Sequence, residues 1–348
     1  MYPNSMAVRT PKIRCLLIGL GQRGFDDHLT ALAPPQVEID LIGVCDIDSG
    51  KERVLQAYLS EHDNYHPVKF YTYLDDALDE LEPTMAIVAT PHDTHLAIAR
   101  TLLARNIPFL KEKPFALNLD QAQELSSLIE EHGGNMRLCV QRRFHPLYVH
   151  GKRVLPQLGS PRHFSVTYHL NVDGYLAGWR SSVTSAGGGA VIDMGYHIID
   201  LLVWYFGMPE QVYASVAPRS GSAVDDSIEE TVVAVIRYAE GFIGTLTLSL
   251  CEPRKREKLR VHGSRGFYIL ERDSFQRFDD KGRQVETLSR TPAWPSATTD
   301  VLADFIGTYN DRAVANREIE RGIEVMALID AMYRSIAGGV LADVKIPG

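Results

Sequence analysis

Residues 13–24, IRCLLIGLGQRG, run as a short apolar strand straight into Gly19-Leu20-Gly21-Gln22-Arg23-Gly24. A glycine triad at this spacing, between a buried strand and the start of a helix, constrains the chain more than any other stretch. The first glycine permits the tight turn, the second lets backbone approach a pyrophosphate, and the third lets helix pack on strand. The helix N-terminus adds a potential that favours phosphate charge. In this context the motif predicts a βαβ unit that binds a dinucleotide rather than a glycine turn with no ligand.

The flanking segments keep that alternation. EIDLIGVCDID (38–48), MAIVATP (85–91), IPFLKEKP (107–114) and RLCVQRRF (137–144) read as further strands. HLAIARTLLARN and NLDQAQELSSLIEEHGG carry apolar residues at helical spacing, the first ending in Asn106 as a left-handed C-terminal cap and the second in Gly133-Gly134. Asp46 closes the second strand, where a carboxylate binds ribose hydroxyls and repels a 2′-phosphate. NAD is therefore expected over NADP, with Asp48 as a rival for the role.

From about Arg162 the texture changes. RHFSVTYHL, EETVVAVIRY and GFIGTLTLSL alternate polar and apolar residues, and Ala239-Glu240 before Gly241 signals a hairpin. KLRVHGSRGFYIL and FQRFDDKGRQVETL read as two more strand-turn-strand units. The predicted class is α/β: an N-terminal Rossmann dinucleotide-binding domain over 1–140, then a C-terminal α/β domain over 141–348 with an open-faced, mostly antiparallel sheet. A sheet face with exposed apolar residues is an aggregation liability, so a homodimer or homotetramer through that face is expected.

Charge excludes other classes. Lys and Arg number 36 against 44 Asp and Glu, a net charge of −8, which gives no electrostatic case for nucleic acid or an anionic membrane. Cys15, Cys45, Cys139 and Cys251 are scattered without a CxxC pair. No secretory h-region precedes the first strand, and no apolar run reaches the about 18 residues of a membrane span. A cytoplasmic protein is the expectation. The basic run RKREKLR (254–260) reads as a solvated strand edge or, as the minority reading, a patch for anionic ligands.

Two motifs close strands of the parallel sheet, ATPHDTH (89–95) and KEKP (111–114), and ligands bind at the carboxyl ends of such strands. Lys113 is placed either to donate to a substrate oxygen or to pair with a carboxylate. AGGGAVIDMGYHIIDL (186–201) sets Asp193, His197 and Asp200 in a greasy run. On a helix starting near Val191 they stand at i, i+4 and i+7 on one face. Such a set fits a metal site, a proton-handling pair or a capped structural helix; the pair, with the carboxylate fixing the imidazole tautomer and no metal, is preferred. Asp200 is assigned to support. The glycines are expected to let backbone pass closely beneath cofactor or substrate.

GLGQRG, IVATPHDTH, FLKEKPFALN, VQRRFHPLY and AGGGAVIDMGYHIIDLL, in this order, resemble the glucose-fructose oxidoreductase / inositol dehydrogenase / rhizopine catabolism (Gfo/Idh/MocA) family over nearly the whole chain. The resemblance implies an NAD(P)-dependent oxidoreductase acting on CH–OH groups of a sugar, amino sugar or cyclitol. It implies Lys113, Asp193 and His197 as catalytic, with His197 as general base. It places Gly19, Gly21, Gln22, Arg23, Gly24, Asp46, Thr90, Pro91, His95, Glu112 and Lys113 at the cofactor, and Gln141, Arg143, Trp179 and Arg180 at the substrate. Asn106 and Gln141 stand where the family usually has glycine and asparagine. A reductase of the same fold acting on an imine or non-sugar carbonyl, and a non-catalytic NAD(H)-binding regulator, are the alternatives.

Overall fold

In the computed structural model, residues 13–32, 39–62, 67–170, 177–217, 228–290 and 294–346 are described, the side chains of 294–296 excepted. Six parallel strands form the first sheet: β1 (Ile13–Ile18), β2 (Ile39–Cys45), β3 (Lys69–Tyr71), β4 (Met85–Val88), β5 (Phe109–Glu112) and β6 (Met136–Cys139). Their order, β3-β2-β1-β4-β5-β6, is that of a doubly wound dinucleotide-binding sheet. Both faces are buried: Leu16, Ile18, Ala86 and Val88 join one core, Cys15, Leu17, Met85 and Ile87 the other. That is why these strands read as unbroken apolar runs. The three-residue edge strand β3 has no comparable run and escaped the sequence reading.

Nine strands form the second sheet: β7 (Pro161–His169), β8 (Gln211–Val216), β9 (Thr231–Arg237), β10 (Ile243–Ser249), β11 (Arg256–Gly263), β12 (Gly266–Glu271), β13 (Ser274–Asp279), β14 (Gln284–Ser289) and β15 (Ala342–Asp343). The order is β14-β13-β12-β11-β7-β10-β9-β8-β15, antiparallel throughout except where β7 runs parallel to β10. One face packs on the helix Tyr196–Phe206 and the 27-residue helix Arg312–Gly338, whose N-terminus Asp311 caps. The opposite face leaves Tyr213, Val233, Val235 and Ile243 exposed.

The helix Trp294–Thr308 lies beyond residue 141 in sequence, yet Val301, Leu302 and Phe305 complete the core that holds Cys15 and Leu17 of the first sheet. A division at 140 thus leaves the last segments of the chain threading back to the first domain. Asn106 (φ 55°) adopts the left-handed conformation expected of it, and Gly133 (φ 61°) does the same. No single described helix is long and apolar enough to cross a membrane.

Candidate functional site

The glycine loop opens a cleft of about 530 Å³ bordered by Asp46, Thr90, Lys113 and Trp179. Gly19 has φ +91°, and a Cβ there would stand 2.6 Å from the Ala89 carbonyl oxygen. A Cβ on Gly24 would stand 2.0 Å from the Gly19 oxygen, so this glycine serves the packing of turn on strand. A Cβ on Gly21 would meet nothing within 4 Å: the backbone there faces open space where a pyrophosphate can approach. Asp46 Oδ2 accepts the Leu20 N–H at 2.6 Å and Oδ1 the Asp48 N–H at 2.9 Å, which fixes the carboxylate at the rim. These residues fit a dinucleotide. Gln22, Arg23, Pro91 and Glu112 also border the cleft.

Lys113 directly follows β5 and reaches across to the second half of the chain. Its Nζ donates to Asp193 Oδ1 at 2.6 Å and to the Asp193 carbonyl at 2.9 Å. Arg180 Nε donates to the other carboxylate oxygen at 2.8 Å while its guanidinium lies 4.3 Å over the Trp179 ring. His92 donates from Nδ1 to the Ala186 carbonyl, packs edge-on against Trp179, and holds Nε2 at 3.7 Å from Asp193. Burial works against the Asp193 charge, but Lys113, His92 and Arg180 outweigh it and hold the carboxyl well below the usual range.

The expected regular helix is broken. Ala190–Met194 form a π-helical turn, and the α-helix starts at Tyr196. Asp193 and His197 both come near Lys113, but Asp200 is carried elsewhere, and among the described residues the three form no metal-ligand cluster. Nor does Asp193 orient His197: its oxygens are taken by Lys113 and Arg180, and His197 Nδ1 is buried with no hydrogen-bond partner among the described residues. Burial, then Arg142, Lys113 and Arg23, hold the imidazole well below its usual pKa, hence neutral at pH 7.

Several expected contacts lie behind the cleft wall. His95 is buried, donating from Nε2 to the Thr90 carbonyl and accepting at Nδ1 from Lys111 Nζ at 3.0 Å. Gln141 donates to Thr298. Arg143 grips Asp200 through Nε and Nη2, and Glu318 through Nη1, so it joins the opening stretch to the long C-terminal helix. These three side chains are consumed by the fold, which is why none of them borders the cleft. Glu112 accepts from His28 Nε2 at 2.9 Å and from the Cys139 thiol. Burial raises its carboxyl, but His28, Arg23 and Lys113 bring it down to about 2. The ligand atoms of His28, Glu112 and Cys139 lie within 4.8 Å of one another, already joined by these hydrogen bonds.

Three residues escaped the sequence reading. His92 stood in plain view inside ATPHDTH. Lys111 is fully buried, and its Nζ also donates to the carbonyls of Glu112 and Pro114, the two residues that bracket Lys113. Glu229 accepts the Gly189 and Val191 N–H groups at 3.0 and 2.8 Å and the Tyr333 hydroxyl. The glycines of 187–189 therefore meet protein, not ligand. A Cβ at Gly188 would collide with the Tyr333 hydroxyl, at Gly189 with the Glu229 carbonyl, and at Gly187 with the Leu117 carbonyl.

Residues 13–139 match the model of an oxidoreductase family with an NAD-binding Rossmann fold, and residues 156–269 match the GFO/IDH/MocA C-terminal domain. The putative UDP-kanosamine synthase oxidoreductase subunit of Amycolatopsis mediterranei is 33% identical over 133 residues, 38% of this chain and 37% of that protein. The chain thus spans little more than a third of that relative's length. The uncharacterized oxidoreductase YhhX of Escherichia coli is 25% identical over 289 residues, covering 81% of this chain and 79% of its own. The WlbA dehydrogenase from Bordetella pertussis, crystallised with NADH and UDP-GlcNAcA, has the same fold. The TM-score is 0.80 at 22% identity, over 97% of this chain and 100% of that one.

Proposed function

Because the chain belongs to the Gfo/Idh/MocA family of oxidoreductases and residues 13–139 form an NAD-binding Rossmann domain, we propose that it interconverts a secondary hydroxyl and a keto group on a sugar, amino sugar or cyclitol. The observation that supports this reading is that Lys113, which borders the cleft opened by the glycine loop, is held to Asp193 at 2.6 Å, with the neutral His197 imidazole near that pair. The sugar nucleotide in the name of the Amycolatopsis relative supports the substrate class.

A bound NAD would supply the hydride acceptor for the substrate carbon. The chain's residues handle what is left on oxygen. His197 accepts the hydroxyl proton on a ring nitrogen as the C–O bond becomes a carbonyl. Lys113 Nζ donates to the same oxygen and stabilises the charge that develops on it. Asp193 holds the Lys113 ammonium, and Lys111 fixes the carbonyls on either side of Lys113. Trp179 and Arg180 form the substrate-side wall, Asp46 receives the ribose hydroxyls, and Gly21, Gln22 and Arg23 face the phosphates. In the reducing direction the proton returns from His197 to the oxygen.

We also read residues 1–140 and 141–348 as cofactor and substrate domains, the latter joining copies of the chain through the exposed face of β8, β9 and β10. The cysteines in the described residues, Cys15, Cys45, Cys139 and Cys251, form no disulfide with one another, which supports a reducing, cytoplasmic setting.

The test follows absorbance at 340 nm with NAD and a panel of inositols, hexoses, amino sugars and their keto forms. Turnover of at least one is expected. Tight NADH binding with no turnover of any polyol or ketone would sink the proposal in favour of a regulator.

A further inference from the structure

His92 opens the short turn His92–Thr94 that follows β4, and it borders the cleft beside Thr90, Lys113 and Trp179 although only 4% of it is exposed. Its two ring nitrogens are not equivalent. Nδ1 lies 2.9 Å from the Ala186 carbonyl, which can only accept, so that nitrogen carries the proton. In the neutral ring Nε2 is then an acceptor. Burial outweighs the nearby Asp193 charge and brings the imidazole down to about 4, so the ring is neutral at pH 7.

The atom nearest to Nε2 on the other half of the chain accepts as well. Asp193 Oδ1 stands 3.7 Å away, too far for a hydrogen bond, and already takes Lys113 Nζ at 2.6 Å. Trp179 packs edge-on against the imidazole at 4.5 Å and, with the Ala186 carbonyl, fixes the plane of the ring. Among the described residues nothing donates to Nε2. An acceptor held this way is costly to leave unpaired once a bound substrate has expelled water from the cleft, so the substrate itself has to bring the donor. Lys113 Nζ and His92 Nε2 reach the same carboxylate oxygen, and so stand side by side. Oxygens on adjacent carbons of a sugar or cyclitol ring are arranged on the same scale.

We propose that His92 Nε2 accepts a hydrogen bond from a second substrate hydroxyl, on the carbon next to the one that reacts, and so selects a vicinal diol over a lone alcohol. This rests on reading the cleft as a hydride-transfer site in which Lys113 and His197 take the reacting oxygen. His92 is then a specificity residue with no part in moving the proton. A pocket built to receive a hydroxyl discriminates strongly against the analogue that lacks it, because its own acceptor is left unpaired.

The experiment separates the two claims by measuring binding and turnover independently. The full-length protein saturated with NADH is titrated by calorimetry with glucose, galactose, myo-inositol and scyllo-inositol. The same compounds are assayed for turnover with NAD, and NMR of the product identifies the carbon oxidised. The tightest binder is then compared with its monodeoxy derivatives. Loss of one hydroxyl beside the oxidised carbon is expected to weaken binding about 10-fold or more. His92→Asn, whose amide keeps a donor for Ala186 but puts nothing at the Nε2 position, should weaken the parent compound by the same factor and that deoxy derivative hardly at all. A merely structural loss would weaken both alike. His92→Gln, whose amide oxygen reaches the Nε2 position, should restore the difference. Equal losses for parent and derivative, coupling of His92 to the oxidised hydroxyl itself, or no binding of any compound each overturns the proposal. Coupling of His92 to one ring hydroxyl, with no turnover of any compound, supports the acceptor site and refutes the hydride-transfer reading. Turnover in which no deoxy penalty depends on His92 does the reverse.

Discussion

Replacing Lys113 by methionine removes one ammonium and keeps the length of the side chain. Asp193, only 1% exposed, then keeps Arg180 Nε at 2.8 Å and His92 Nε2 at 3.7 Å. Because one strong partner remains, the loss of stability belongs at the low end of the range for broken buried pairs, about 3 kcal/mol. That leaves a typical domain folded at 25 °C. Turnover loses a donor aimed at the developing oxyanion, which costs about 10²–10³ in kcat. The glycine loop and Asp46 are untouched, so NADH affinity, read by fluorescence titration, is expected to hold. Acid behaviour adds a second check. In the native protein the Asp193 carboxyl titrates well below its unfolded value of about 3.9, so its contribution is present above that pH and fades as pH falls toward the folded value. Without Lys113 the folded value rises, and the acid-unfolding midpoint must move to higher pH. A variant with more than about a tenth of wild-type kcat, or with an unchanged acid midpoint, would refute the reasoning.

Other perturbations address the remaining parts. His197→Ala is expected to lower kcat by about 10²–10⁴ and spare NADH binding. Since the imidazole is held well below its usual value, wild-type kcat should stay flat as pH falls through 6.5 and drop only in stronger acid. A rate that halves near pH 6.5 in stopped-flow mixing would point to another base. Asp200→Asn leaves buried Arg143 with Glu318 alone, so we expect a loss of about 3 kcal/mol, roughly 6 °C or more in Tm, with kcat at 25 °C within about threefold. Val235 lies opposite Tyr213 and Thr245 on the exposed sheet face. Val235→Lys should convert the oligomer to monomer in light scattering with the Tm of each chain little changed, and a wild-type monomer at micromolar concentration would rule the assembly out.

How much of this was legible before the structure depended on the range of the interactions involved. The glycine turn, Asp46 and the left-handed caps at Asn106 and Gly133 are local requirements of backbone geometry, and each is written in a few adjacent residues. The antiparallel hairpins from β9 to β10 and from β11 to β12 are similarly local. The parallel contact of β7 with β10 joins residues about 80 positions apart, and alternation alone could not reveal it. Residue type likewise does not say whether an ionisable group faces ligand or protein. His95, Gln141 and Arg143 sit beside the right motifs, yet long-range partners at Lys111, Thr298, Asp200 and Glu318 take up their hydrogen-bonding groups. His92 was passed over within the same motif because its role comes from Ala186 and Trp179, about ninety residues away.

The stretch around Asp193 shows the same division within one segment. Periodicity gave one helix face to Asp193, His197 and Asp200, but periodicity presumes an unbroken helix. A Cβ at Gly195 would stand 2.6 Å from the carbonyl oxygens of Ala190 and Val191, so the break between π-turn and α-helix needs a glycine at that position. Upstream, Gly187–Gly189 let the backbone pass against Leu117, Tyr333 and Glu229, and the Glu229 carboxylate takes the N–H groups that start the turn. Asp193 therefore meets Lys113 because a buried glutamate just before β9 and a tyrosine on the C-terminal helix hold the turn in place. The lysine belongs to one sheet and the aspartate to a turn anchored on the other, so the pair exists only when both halves of the chain are folded against each other. Proton handling and cofactor binding are in this way separable by mutation but not by dissection of the chain.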